Sequence, residues 1–204
     1  MALLEVRELT KSFGGVTAIA DLGFEVPEGQ VYAVIGPNGA GKTTLFNMLC
    51  GIYVPDEGSI RFRGEEIIGR RPHQVAELGA SRTFQNLQMF FNMSVLDNVM
   101  VGCHLRTRSG LIGAALRLPR VIREERQARR WAREALEICG LDRFIGQQAD
   151  ALPYGVLKRL EIARALAARP TLLMMDEPAA GLNDTETLEM RSLIRRICET
   201  GVTV

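Results

Sequence analysis

Eight consecutive residues, Gly36-Pro37-Asn38-Gly39-Ala40-Gly41-Lys42-Thr43, set glycine, lysine and threonine at the spacing G-x-x-x-x-G-K-[ST]. These residue types at this spacing suit the gripping of phosphate. The glycines let the backbone wrap closely enough for its amides to point at phosphate oxygens. A helix opening directly after the turn adds partial positive charge at the same place. Lys42 brings an ammonium to the outer phosphates of a nucleoside triphosphate, and the Thr43 hydroxyl suits Mg²⁺. With Thr44, the first residue after the motif, these eight are the candidate nucleotide-binding residues. A glycine-rich turn without a ligand is the competing reading, and the flanking elements argue against it.

A second group of candidates lies far along the chain, in Leu172-Leu173-Met174-Met175-Asp176-Glu177. Four apolar residues predict a strand buried on both faces, and two carboxylates emerge at its C-terminal end, where open α/β sheets bind ligands. Asp176 is placed to hold Mg²⁺, directly or through water, which leaves Glu177 to polarise an attacking water. Adjacent carboxylates repel one another, and a divalent cation relieves that repulsion. The alternative is a surface Asp-Glu pair in a helix-start turn.

Such groups need a sheet and helices to present them. Residues 4–9 alternate apolar and polar, as does Phe24-Glu25-Val26, and both read as half-buried strands. Val31-Tyr32-Ala33-Val34-Ile35 is a continuous apolar run, predicting a strand covered on both faces just before the glycine turn. Residues 43–50 follow at helical spacing, and 59–63 read as a strand after a turn at 55–58. From Pro72 to about Leu141 helical patterns dominate, except around Arg82-Thr83-Phe84. Ala128, Trp131, Ala132, Ala135 and Cys139 keep the rhythm of an amphipathic helix. Helices are also predicted over 157–168 and 186–199, and residues 201–204 look like a strand beginning. A buried strand that breaks off so early predicts a chain truncated at its C-terminus, with the part after Val204 missing.

Composition narrows the class. With 204 residues, 47% of them hydrophobic and 24% charged, the chain suits one folded domain. A formal net charge of +1 offers nothing to a nucleic acid. The N-terminus meets an acid at Glu5 and lacks the pattern of a signal peptide. No run of about 20 apolar residues is present to span a membrane. Cys50, Cys103, Cys139 and Cys198 are widely spaced and read as free thiols.

In this order, the motifs resemble the nucleotide-binding domain of ABC transporters over nearly the whole chain. Residues 36–43 are similar to Walker A and 172–177 to Walker B. Phe84-Gln85 looks like the Q-loop, which implies that Gln85 contacts Mg²⁺ and water and has a catalytic role beside Glu177. Ala179-Ala180-Gly181-Leu182-Asn183 looks like the D-loop. Phe13 matches the aromatic that stacks on adenine; a core or hairpin residue is its other reading. The metal ligands implied are Thr43, Gln85 and Asp176. The implied fold is α/β: a P-loop NTPase core with a mixed or parallel sheet, an N-terminal antiparallel β subdomain and an α-helical subdomain. Residues 1–204 form one domain, with about 86–165 as the inserted helical part.

The family signature, Leu-Ser-Gly-Gly-Gln, reads here Leu152-Pro153-Tyr154-Gly155-Val156. Leu152 and Gly155 match. Pro153 removes a hydroxyl and an amide that would face a γ-phosphate across a dimer. Departures of this kind, with residues 82–86, 94–99 and 178–183, are similar to the branched-chain amino-acid (Liv-type) importers. That resemblance implies an ATPase that binds ATP and Mg²⁺ and pairs as a homodimer or heterodimer with a second ATP-binding subunit. It also implies integral membrane permease subunits as partners, with no direct contact with cargo and no nucleic acid. The expected location is cytoplasmic, peripheral on the inner face of the cell membrane. A lipopolysaccharide-export-type ATPase, a soluble ABC factor and a module that binds without hydrolysing are the alternatives. The family's γ-phosphate histidine falls beyond Val204, while His73 and His104 read as surface or partly buried helix residues. Arginines 106, 108, 117, 120, 123, 126, 129, 130 and 133 crowd one region. They read as a solvated helix face or as a surface toward anionic lipid or a membrane subunit.

Overall fold

A computed structural model gives the fold and describes residues 2–83, 88–107 and 119–204. Two long strands, β1 (Ala2–Phe13) and β2 (Val16–Pro27), form an antiparallel hairpin. Gly14 and Gly15 close it, both at positive φ, which glycine adopts without a steric penalty. β3 (Glu57–Phe62) pairs with the other edge of β1 and β4 (Glu65–Glu66) with β3, giving the order β2-β1-β3-β4. Val6, Ile60 and Phe62 turn inward while Arg7 and Arg61 face out, as the alternation in the sequence predicts, although Leu3 and Leu4 are both buried.

The second sheet is parallel. β5 (Ala80–Arg82) pairs with β6 (Leu172–Met174). On the far side of β6, Thr203 bridges to Leu172 in parallel sense. Val204 then donates to the Gln30 carbonyl at 3.0 Å and accepts from the Tyr32 amide at 2.8 Å. The ribbon therefore runs from 80–82 through 172–174 and 203–204 to 30–32.

β6 is buried on both faces, as its four-residue apolar run predicts, although it ends one residue earlier, at Met174. Leu172 and Met174 belong to an apolar core beneath the antiparallel sheet, and Leu173 to a second core among the helices. Truncating Leu173 to alanine would cost about 2–5 kcal/mol.

Residues 31–35 depart from expectation. They lie in no strand and are exposed, Ile35 by 93%. Strand structure needs hydrogen-bonding neighbours as well as apolar side chains. Among the described residues, the backbone pairing here rests on Val204, through the Tyr32 amide and the carbonyl of Gln30 just before the segment. Its side chains still pack to one side. Tyr32 stacks on Phe24 with ring centroids 5.6 Å apart, and Val31, Tyr32 and Val34 line a cavity of about 320 Å³.

Six α-helices, with three short 3-10 turns, complete the described residues: α1 (Lys42–Leu49), α2 (Pro72–Glu77), α3 (Val95–Gly102), α4 (Pro119–Ile138), α5 (Tyr154–Ala167) and α6 (Asp184–Glu199). α1 buries Leu45, Met48 and Leu49 against the antiparallel sheet. Ser94 caps α3, its hydroxyl accepting from the Asp97 amide at 3.1 Å. α4 buries Ala128, Ala132, Ala135 and Leu136, matching the predicted stripe, while Arg123, Arg126, Arg129, Arg130 and Arg133 face outward. Arg120 and Arg129 pair along the helix with Glu124 and Glu125. Arg108 and Arg117 lie outside the described residues. Gly102 brings α3 so close to α5 that a Cβ there would collide with the Arg164 carbonyl. His73 and His104 are both exposed, and all four cysteines are free. Among the described residues no helix is long and apolar enough to cross a membrane.

Candidate functional site

The glycine turn sits flush on β2. Gly41 has φ 82°, and a Cβ there would collide with the Ala18 carbonyl oxygen and press on Ile19. Any other residue at 41 would be strained twice, by its backbone and by that contact. α1 begins at the next residue with no side chain capping its first turn. The amides at its head are therefore left for an acceptor from outside the helix, and the helix dipole favours an anionic one. Lys42 Nζ donates to the carbonyls of Gly36 at 2.7 Å and Pro37 at 2.9 Å. Asn38, Gly39, Ala40 and Thr43 are exposed, and Thr44 is half-buried.

The acid pair stands at the end of β6, as the sequence predicts. The Asp176 side chain is 7% exposed, and its Oδ2 lies 3.0 Å from Nη2 of Arg82 at the end of the neighbouring strand. The other arm of that guanidinium, Nη1, donates to Asn47 Oδ1 on α1 at 2.6 Å. The Arg82 guanidinium also lies 5.4 Å from the Phe46 ring centroid. Glu177 is exposed and holds φ 48°, a left-handed conformation that costs a non-glycine residue about 1–3 kcal/mol. That bend takes the chain off β6 directly after Asp176. Lys42, Asp176, Glu177 and Pro178 all line the 320 Å³ cavity, otherwise largely apolar, so the lysine at the head of α1 and the acid pair meet in space across more than 130 residues of sequence.

The donors present fit a magnesium–nucleotide group. Among the described residues no three His, Cys, Asp or Glu side chains cluster as an all-protein metal cage. One buried carboxylate and a threonine hydroxyl suit a cation that draws its other ligands from phosphate and water, as Mg²⁺ does.

Phe13 ends β1 and is 43% exposed. Its ring meets Tyr53 edge-on, with centroids 5.4 Å apart at 67°, and Lys11 Nζ lies 5.3 Å from its centroid. Ala18, which touches the glycine turn, follows on the partner strand of the same hairpin. Gln85 and Phe84 lie outside the described residues.

Gly155 sits in a different cluster. Pro153 is the N-cap of α5, where the missing amide is one the helix does not use, and its carbonyl accepts from Val156 and Leu157 at 3.0 Å. A Cβ on Gly155 would collide with the Glu186 carboxylate. Glu186 is itself tied up, exchanging bonds of 2.9 and 3.0 Å with Asn183 in the capping box of α6. The Tyr154 ring covers Gly181, where a Cβ would lie 3.2 Å from it, and its hydroxyl reaches the Ala180 carbonyl at 3.5 Å. The signature-like segment and the 179–183 turn are thus one packed unit within the chain.

Sequence reasoning passes over Arg82, Asn47 and Tyr154 as site residues. A charged residue closing a short parallel strand beside the acid pair is the signal that could have found Arg82. Tyr154 reads only as a mismatch until Gly181 is seen beneath it.

A family model described as "ABC transporter" matches residues 19–180. The chain is 44% identical over 203 residues to the high-affinity branched-chain amino acid transport ATP-binding protein BraF of Pseudomonas aeruginosa, covering 99% of this chain and 80% of that protein. It is 41% identical over 195 residues to the corresponding protein LivG of Escherichia coli K12, covering 96% and 76%. Its fold matches a nucleotide-free ATP-binding cassette from an ABC transporter, with TM-score 0.84 and 30% identity over 100% of this chain and 79% of that one. An ADP-bound cassette of the same kind matches with TM-score 0.84 and 29% identity, over the same shares.

Proposed function

The chain belongs to the ABC transporter family, and from that premise we propose that it is the ATP-binding, energy-coupling subunit of an importer for branched-chain or other amino acids. It is an ATPase. Nucleotide is held by the amides and ammonium of residues 36–44, with Phe13 against the adenine. The observation that carries this reading is the meeting of Lys42, Asp176 and Glu177 around one cavity, with the uncapped head of α1 beside them.

Thr43 and Asp176 would hold Mg²⁺, with Gln85 as a further ligand, and the cation would offset charge developing on the phosphoryl oxygens. Glu177 orients and polarises the attacking water. Its exposure and left-handed backbone free the carboxylate from the sheet that buries Asp176. Gly155 and its loop serve the nucleotide of a second ATP-binding subunit, identical or related, in a head-to-tail pair. Residues 1–204 act as one nucleotide-binding domain, with about 86–165 as its helical part. The domain works on the cytoplasmic face of the membrane against integral permease subunits, without touching cargo.

Titration with ATP and Mg²⁺, on the wild type and on Lys42→Glu, tests the binding claim. Association that survives the charge reversal overturns it. Turnover measured beside binding separates the ATPase from a module that only binds. Co-purification of permease subunits tests the transporter assignment.

A further inference from the structure

We propose that Arg82 is a positioning residue for the Asp176 carboxylate, and that its guanidinium sets how strongly that carboxylate demands Mg²⁺. The proposal rests on the reading of this site as a magnesium–nucleotide site.

Arg82 joins three parts of the site with one planar group. One arm holds Asp176 Oδ2 at 3.0 Å, and the other holds Asn47 Oδ1 on α1 at 2.6 Å. The Phe46 ring lies alongside, 5.4 Å from the guanidinium carbon. The two partners of the ion pair are 8% and 7% exposed, so little solvent screens them. Asn47 and Phe46 belong to the helix that opens at Lys42, and Asp176 stands two residues past the end of β6. Arg82 therefore fixes the carboxylate against the phosphate-gripping helix. It does so from the end of β5, three residues before Gln85. A fork of fixed geometry can serve both oxygens at once, which a single ammonium on a flexible stem does poorly.

The charge has a consequence that packing alone does not. Asp176 already faces a permanent cation, so a divalent ion brought to the same carboxylate gains less attraction than it would from an unpaired acid. Arg82 thus raises alignment and lowers cation affinity together. Removing its charge should uncouple the two.

The test is a titration of fluorescent ATP analogue binding against MgCl₂, with turnover measured separately at saturating Mg²⁺. In Arg82→Met the half-saturating Mg²⁺ concentration should fall about threefold or more. Turnover should fall about tenfold as the carboxylate loses its alignment. Arg82→Lys should keep the wild-type Mg²⁺ half-saturation and still lose turnover. A purely structural arginine would lower turnover and thermal stability in both variants without tightening Mg²⁺ in Arg82→Met. That pattern, or wild-type turnover in Arg82→Lys, overturns the proposal. Where Arg82→Met fails to fold, Arg82→Gln carries the same Mg²⁺ arm with the same two outcomes. Absence of Mg²⁺-dependent binding in the wild type would instead sink the reading of the site itself.

Discussion

Lys42 Nζ lies 2.7 Å from the carbonyl oxygen of Gly36, so the ammonium closes the glycine turn on itself. The bond is exposed, as is its companion to Pro37. A phosphate oxygen replaces such carbonyls at small cost and adds a charge-assisted contact, worth about 1.5–3 kcal/mol. Lys42→Ala should therefore weaken ATP binding about 10- to 100-fold by calorimetry. Its melting temperature should stay within a few degrees of wild type. Undiminished affinity would remove Lys42 from the site.

Glu177→Gln keeps the shape of the side chain and removes its capacity as a base. ATP binding should persist, while hydrolysis drops by about 10²–10⁴. A second expectation concerns assembly: ATP should hold the variant in a paired state on size exclusion, because the step that opens the pair is blocked. Normal turnover by this variant would assign the base elsewhere.

Gly181 has φ 78°, beneath the ring of Tyr154. Gly181→Ala should destabilise the chain by about 1–2 kcal/mol in denaturant titrations, from backbone strain plus the crowding at 3.2 Å. In a Tyr154→Ala background the same change should cost less, because the ring is gone and the strain alone remains. Equal costs in both backgrounds would show that the ring and the turn are not coupled. Tyr154→Phe should behave almost as wild type, since the hydroxyl contact is long at 3.5 Å.

The thiols give a pH dependence with a definite sign. Burial pushes Cys139 up to about 12 and Cys103 up to about 11, from an ordinary value of 9.0. Both are fully buried among α3, α4 and α5. The unfolded chain releases these protons first. The stability they confer is therefore complete below about pH 9. It is lost as pH rises through 11 and 12. A falling unfolding free energy over that alkaline window is the expected result. At pH 8 a thiol reagent should label Cys198 in the folded protein, label Cys50 more slowly because burial raises its thiol too, and leave Cys103 and Cys139 untouched until denaturant is added.

The glycine turn and the acid pair are legible in the sequence because their chemistry demands fixed local spacing. β6 is legible because burial on both faces leaves its mark in composition. Residues 31–35 carry the same mark and yet form no strand, since their pairing depends on a partner some 170 residues away at Val204. Arg82 is hidden for a related reason. Its meaning comes from Asp176, 94 residues further on, and from Asn47 on α1, 35 residues before it. Tyr154 looks like a defect in a motif because its complement, Gly181, belongs to another loop. Short-range rules show where phosphate is gripped; they do not show what steadies the grip.

The missing side chain at Gly102 has a mechanical consequence. Where two helices touch main chain to main chain, neither slides past the other without rupturing the contact, so α3 and α5 must travel as a single crank. One end of that crank follows the segment after Gln85 and the other begins at Tyr154. A displacement that reaches either helix is therefore carried to the other.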